Sequence, residues 1–146
     1  MDERLAGRPL LSRPEQVLYG RLVRAFAGHI ILAHVAVLRL LAADGKDRMD
    51  GAAGRPMSNR FKNSVADFVV CRADFTALAV IELEDGVKPP DTQRDKQRRK
   101  DQLLQAAGIK VIRLAADDLP PEAALKALVA TLPLNSSTAQ LMRRAS

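Results

Sequence analysis

Apolar positions recur along this chain in two rhythms, and the switches between them lay out its elements. Leu18, Leu22 and Phe26 fall four apart with Val17 beside them, and together they mark one helix face. Ser12 or Arg13 caps that helix, Pro14 fits its first turn, Glu15 lies near the positive end of its dipole, and Gly28 ends it. The run HIILAHVAVLRLL over 29–41 is rich in Ile and Val; it predicts a buried strand to about Val37, with a helix as the competing reading. Residues 44–60 (DGKDRMDGAAGRPMSNR) have no periodicity and predict an exposed loop or flap. Two β-like runs, SVADFVVCR and FTALAVIELE, flank a turn at Ala73 and Asp74 and predict a hairpin. GVKPPDTQ reads as a loop, RDKQRRKDQLLQAAG as a helix closed by Gly108, IKVIRL as a strand and PPEAALKALVATL as a last amphipathic helix. The order implies an α/β fold, a central mixed β-sheet flanked by helices. It fills a single domain over 11–131, between a flexible segment at 1–10 and a polar C-terminal tail at 132–146.

Composition narrows the class. With 47% hydrophobic and 27% charged residues, the chain is neither disordered nor fibrous and has enough apolar side chains for a core. Its 23 Lys and Arg against 17 Asp and Glu give a net charge of +6, which favours an anionic partner such as nucleic acid. One Cys excludes an internal disulfide framework and a Cys-rich zinc site, and Cys71 reads as a small core residue. The apolar stretch over 25–43 contains His29, His34 and Arg39, which argues against a membrane span. The N-terminus lacks the apolar run of a signal peptide, so the expected location is cytoplasmic. His29 and His34 read as structural residues of their apolar run, and neither is assigned as a ligand.

Candidate chemistry concentrates in the hairpin. Glu82 and Glu84, two apart on a strand, share a face, and hairpin pairing brings Asp67 alongside. Three converging carboxylates need a cation between them, and a hard divalent ion such as Mg²⁺ is the natural occupant. The competing reading is that Glu84 and Asp85 begin a solvated turn and Asp67 faces water. Beside these acids, residues 94–100 (RDKQRRK) carry five basic side chains and one acid. Arg94, Lys96, Arg98, Arg99 and Lys100 therefore suit a phosphate backbone, although on one helix they cannot all face one way. The few aromatic residues, 4 Phe and 1 Tyr with no Trp, argue against base stacking and for backbone binding with little sequence reading.

VADFVVC, AVIELEDGVK and RDKQRRKDQLLQAAGIKVIRL together resemble a bacterial domain-of-unknown-function family of the PD-(D/E)xK, or restriction-endonuclease-like, nuclease superfamily, close to the very short patch repair endonuclease branch. The resemblance spans roughly 11–131. It implies metal ligation by Asp67, Glu82 and the carbonyl of Leu83, and places Glu15 where related enzymes carry a helix-borne acid. The superfamily's common form has Lys two residues after the second acid; Glu84 stands there, where this branch usually has Asp. That implies a site resting on metal more than on lysine. Relatives also carry a His a few residues later, and Lys88 matches it; as a charged residue it holds phosphate or stabilises charge. The expected activity is Mg²⁺- or Mn²⁺-dependent DNA hydrolysis by a metal-activated water, with Asp67, Glu82, Glu84, Glu15 and Lys88 as catalytic candidates. A catalytically inactive nucleic-acid-binding or protein-interaction module of the same fold is the alternative.

Overall fold

The computed structural model describes residues 5–41 and 61–132, with the backbone of 49–50 and 55–56 between them. Helix α1 (Arg13–Ala25) opens on a capping box: the Ser12 amide donates to Glu15 Oε1 at 2.8 Å and the Glu15 amide to Ser12 Oγ at 3.4 Å. Strand β1 (Ile30–Ala36) follows, then the single turn α2 (Val37–Leu40). Two short strands, β2 (Met49–Asp50) and β3 (Arg55–Pro56), pair antiparallel where the sequence predicts an irregular loop. The rest of that loop, residues 1–4 and the tail over 133–146 lie outside the described residues.

The predicted hairpin is β4 (Val65–Cys71) and β5 (Ala77–Glu84). Helix α3 (Asp91–Ala106) carries the chain across to β6 (Lys110–Ala115), and α4 (Glu122–Leu128) closes the described fold with a 3₁₀ turn behind it. The four-stranded sheet has the order β1-β4-β5-β6, antiparallel at its first two pairings and parallel between β5 and β6. A parallel pair needs a crossover, and α3 is that crossover. The helix starts at Asp91 rather than at the expected Arg94. Pro90, lacking an N–H to satisfy, stands at its N-cap, so the turn begins as soon as the double proline ends. Gly108, at φ 79, ends it: the Ile109 amide reaches Leu104 O at 2.9 Å and the Gly108 amide reaches Gln105 O at 3.0 Å, which satisfies two carbonyls left over at the helix end.

Both sheet faces are covered, which is why β4 and β5 read as near-continuous apolar runs. On one face Leu18 and Leu22 of α1 and Leu125 of α4 pack over Phe68, Val70, Ala79 and Ile81. On the other, Leu104 of α3 packs with Val69, Cys71, Val80 and Ile109. Cys71 is a core residue, as its sequence context implies, and burial pushes its thiol up, the nearby Asp74 adding to the rise. His29 sits edge-on to Phe26 at 6.0 Å between ring centroids. Among the described residues, no helix is long and apolar enough to cross a membrane.

Leu104 is the one fully buried side chain of α3, so it fixes how that helix lies on the sheet. Leu104→Ala is expected to lower the unfolding free energy by about 2–5 kcal/mol in urea titrations.

Candidate functional site

Strand register builds a polar row across an otherwise apolar sheet. In the β1–β4 ladder, Ala33↔Phe68 and Val35↔Ala66 bracket His34 and Asp67. One step beyond Phe68↔Ile81, Asp67 comes beside Glu82, and β5 pairs Glu82 directly with Arg113 of β6. Each strand thus contributes one polar side chain at a single level: His34, Asp67, Glu82, Arg113. At this level the alternation of faces reverses in the outer pair. Ala33 and Phe68 pack under α1 and α4, yet Val35 and Ala66, each two residues away, pack on the α3 side. His34, at φ 54, is the point where β1 turns over, a conformation that is uncommon for a side-chain-bearing residue.

The β4–β5 ladder opens here too. Asp67 Oδ2 accepts the Leu83 amide at 2.8 Å, so a side-chain carboxylate stands where a strand carbonyl would be. The N–H and C=O of a strand residue leave along the same edge, and the Leu83 carbonyl therefore faces the same gap. Glu82 is 8% exposed, the single charged residue among the buried ones described. Burial pushes its carboxyl above the usual range; the Lys100 ammonium pulls it back, and the neighbouring Asp67 carboxylate adds to the rise. Lys100 Nζ lies 3.3 Å from Glu82 Oε1.

The three-carboxylate convergence expected from spacing does not form. Glu84 keeps the face of Glu82 but is half exposed and pairs with Arg113 Nε at 3.0 Å. Among the described residues, no group of three His, Cys, Asp or Glu is placed to hold a metal ion. What converges is two carboxylates and a main-chain carbonyl. All are hard oxygen donors, and Mg²⁺ commonly takes one or two protein carboxylates and completes its shell with water, so this set fits it.

Arg113 is itself anchored by Asp101 of α3 through two bonds of 2.6 and 2.9 Å, which hold its charge firmly and raise its pKa. Glu15 joins the row indirectly, with its Oε2 2.6 Å from His34 Nε2. Burial raises the Glu15 carboxyl, but hydrogen bonds from Ser12 and His34 outweigh it and leave the group below its ordinary range. His34 and Arg113 are the residues that sequence reading missed. Only the strand register could have found them, because neither spacing nor residue type links them to Asp67 and Glu82.

The basic residues divide. Lys96 and Arg98 are exposed and Arg94 and Arg99 half-buried on α3; Arg94 pairs with Asp91, and Arg98 lies 3.4 Å from Asp95. Lys88 is exposed on the loop after β5, lining an open cleft of about 580 Å³ with Leu83, Glu84, Gln93 and Gln97. Lys100, expected to face phosphate with the others, instead turns inward: it lies one helical turn before Leu104 and its side chain is 15% exposed.

Residues 7–131 match the model of a family described as a protein of unknown function (DUF2726), and the chain belongs to that family. No curated protein and no solved structure matches it.

Glu82 binds its proton more tightly folded than unfolded, so its ionisation weakens the fold as pH rises from its ordinary 4.5 through its raised value. Glu15 does the opposite, contributing stability above its ordinary 4.5 that is lost as pH falls through its lowered value. In urea titrations from about pH 4 to about pH 7, Glu82→Gln is therefore expected to gain stability relative to the native chain as pH rises. A difference between the two that does not change with pH would contradict this.

Proposed function

We propose that this family member is a Mg²⁺- or Mn²⁺-dependent nuclease that hydrolyses DNA phosphodiester bonds, a restriction-endonuclease-like protein of the PD-(D/E)xK superfamily near the very short patch repair endonuclease branch. The observation that carries the reading is the pairing of Asp67 with Glu82, backed by the Leu83 carbonyl, where the β4–β5 ladder opens. Two adjacent carboxylates, one of them buried, have a single ammonium in direct contact, Lys100 at 3.3 Å from Glu82, and so carry an imbalance of charge. A divalent cation settles that imbalance.

Asp67, Glu82 and the Leu83 carbonyl would hold the ion, which supplies an acidified water and offsets charge on the phosphoryl group. The chain's own residues do the rest. Exposed Lys88, Lys96 and Arg98, with Arg94 and Arg99 on further faces of α3, offer contacts to the phosphate backbone. Glu84, held by Arg113, borders the cleft under Lys88, and Glu15 holds His34 in place at the far end of the row. With no Trp, 1 Tyr and 4 Phe, of which Phe26, Phe61 and Phe68 are buried, there is little to stack on bases, so binding is to backbone of any sequence. On this reading the protein works on DNA in the bacterial cytoplasm.

Titration of Mn²⁺ or Mg²⁺ by calorimetry, beside Glu82→Ala, tests the site, and incubation with plasmid and single-stranded DNA tests the activity. Metal binding lost in the variant, with metal-dependent cleavage by the native chain, is the expected result. DNA binding without cleavage at millimolar metal would make the chain an inactive nucleic-acid-binding module. Absence of both would point to a protein-interaction domain.

A further inference from the structure

Resting on the nuclease reading, we propose that Lys100 supplies from helix α3 the cation that the strand position of Glu84 lacks. It would act at the reacting phosphate rather than as a backbone anchor.

Three observations place it there. Its side chain is 15% exposed and its Nζ lies 3.3 Å from Glu82 Oε1, so the ammonium is held against the acidic pair, mostly out of water. An ammonium has three N–H bonds, and Glu82 is its one acceptor among the described residues, leaving donors for an attacking water or for a phosphate oxygen brought beside the ammonium. Its position is imposed by packing: Leu104, fully buried, fixes the inner face of α3, and Lys100 precedes it by one turn on that face. Glu84, meanwhile, is drawn to Arg113 at 3.0 Å. Position 84 thus points along the face that Lys100 reaches from above, and one cation serves the site from either origin.

A lysine used this way differs measurably from a phosphate anchor. An anchor contributes to DNA affinity and to its salt dependence, and losing it lowers the slope of log affinity against log salt by about one. A donor at the reacting group contributes to turnover, and removing one such donor typically costs about 100-fold or more in kcat.

The test compares the native chain with K100M, K100R and the double variant E84K/K100M. The readouts are kcat and KM on plasmid DNA, the salt slope of DNA binding, Mn²⁺ affinity by calorimetry, and a thermal melt for folding. K100M is expected to bind Mn²⁺ at least as tightly as the native chain, with unchanged salt slope, and to lose about 100-fold or more in kcat. E84K/K100M is expected to recover at least about tenfold of that loss by returning the charge along the strand; Arg113 keeps Asp101 when Glu84 is replaced. K100R, which swaps a compact ammonium for a planar fork, is expected to turn over more slowly than the native chain and serves if K100M does not fold. A native chain that cleaves while the folded lysine variants cleave as fast overturns this inference alone, as does a loss confined to DNA affinity and salt slope. A native chain that binds Mn²⁺ and leaves DNA intact overturns the nuclease reading and this inference with it.

Discussion

Two carboxylates held side by side inside an apolar sheet are the constraint on which this structure turns. Ionised groups out of water cost several kcal/mol each unless they are paired and hydrogen-bonded. Every polar feature near Asp67 and Glu82 reads as an answer to that cost. Asp67 takes a backbone amide from the neighbouring strand, Glu82 takes an ammonium from the helix above, and the pair stands where the ladder opens rather than within its regular part. The apolar residues on either side, Phe68 and Ile81 among them, fix the strands so firmly that the acids cannot move apart to relax their repulsion.

The helices are placed by apolar contacts and deliver charge as a consequence. Leu104 seats α3, and the 3.6-residue period then puts Lys100 over Glu82, with Asp101 against Arg113. On the opposite face Leu18 and Leu22 seat α1, and its first turn brings Glu15 to His34. Glu15 serves twice there, since it also closes the capping box that starts the helix. A residue with both duties ties the beginning of α1 to the edge of the sheet.

Element types were legible in the sequence because each rests on local rhythm. The Ser12 cap, the apolar runs through Val69 and Ile81, and the glycine closing α3 all carry their cause within a few residues. The nearness of Asp67 to Glu82 was legible for a related reason: a hairpin with a short turn nearly fixes its own register. Beyond that, legibility falls with sequence separation. His34 and Arg113 enter through ladders between distant strands, and His34 looked like one more residue of an apolar run. The inward turn of Lys100 was hidden by its neighbours, since a block of five cations reads as one surface until Leu104 marks the buried face. Glu84 failed in the opposite sense. Its two-residue spacing from Glu82 does put both on one face, but face does not decide partner, and Arg113 on the next strand claims it.

The two ends of the acidic system are tuned in opposite directions, and that asymmetry follows from where each carboxyl finds its donors. Glu15 sits at a helix start, where unsatisfied amides and His34 favour its charged form and hold it low. Glu82 sits within the sheet, where its backbone neighbours are already paired, leaving Lys100 to work against burial and against Asp67. A carboxylate pressed upward in this way is poorly satisfied by its own protein and gains most from an incoming cation. A carboxylate held down is already satisfied and gains least. On the proposed reading, the same row therefore separates a position suited to receive an ion, at Glu82, from one suited to orient a neighbouring imidazole, at Glu15. The division comes from secondary structure before any ligand is considered.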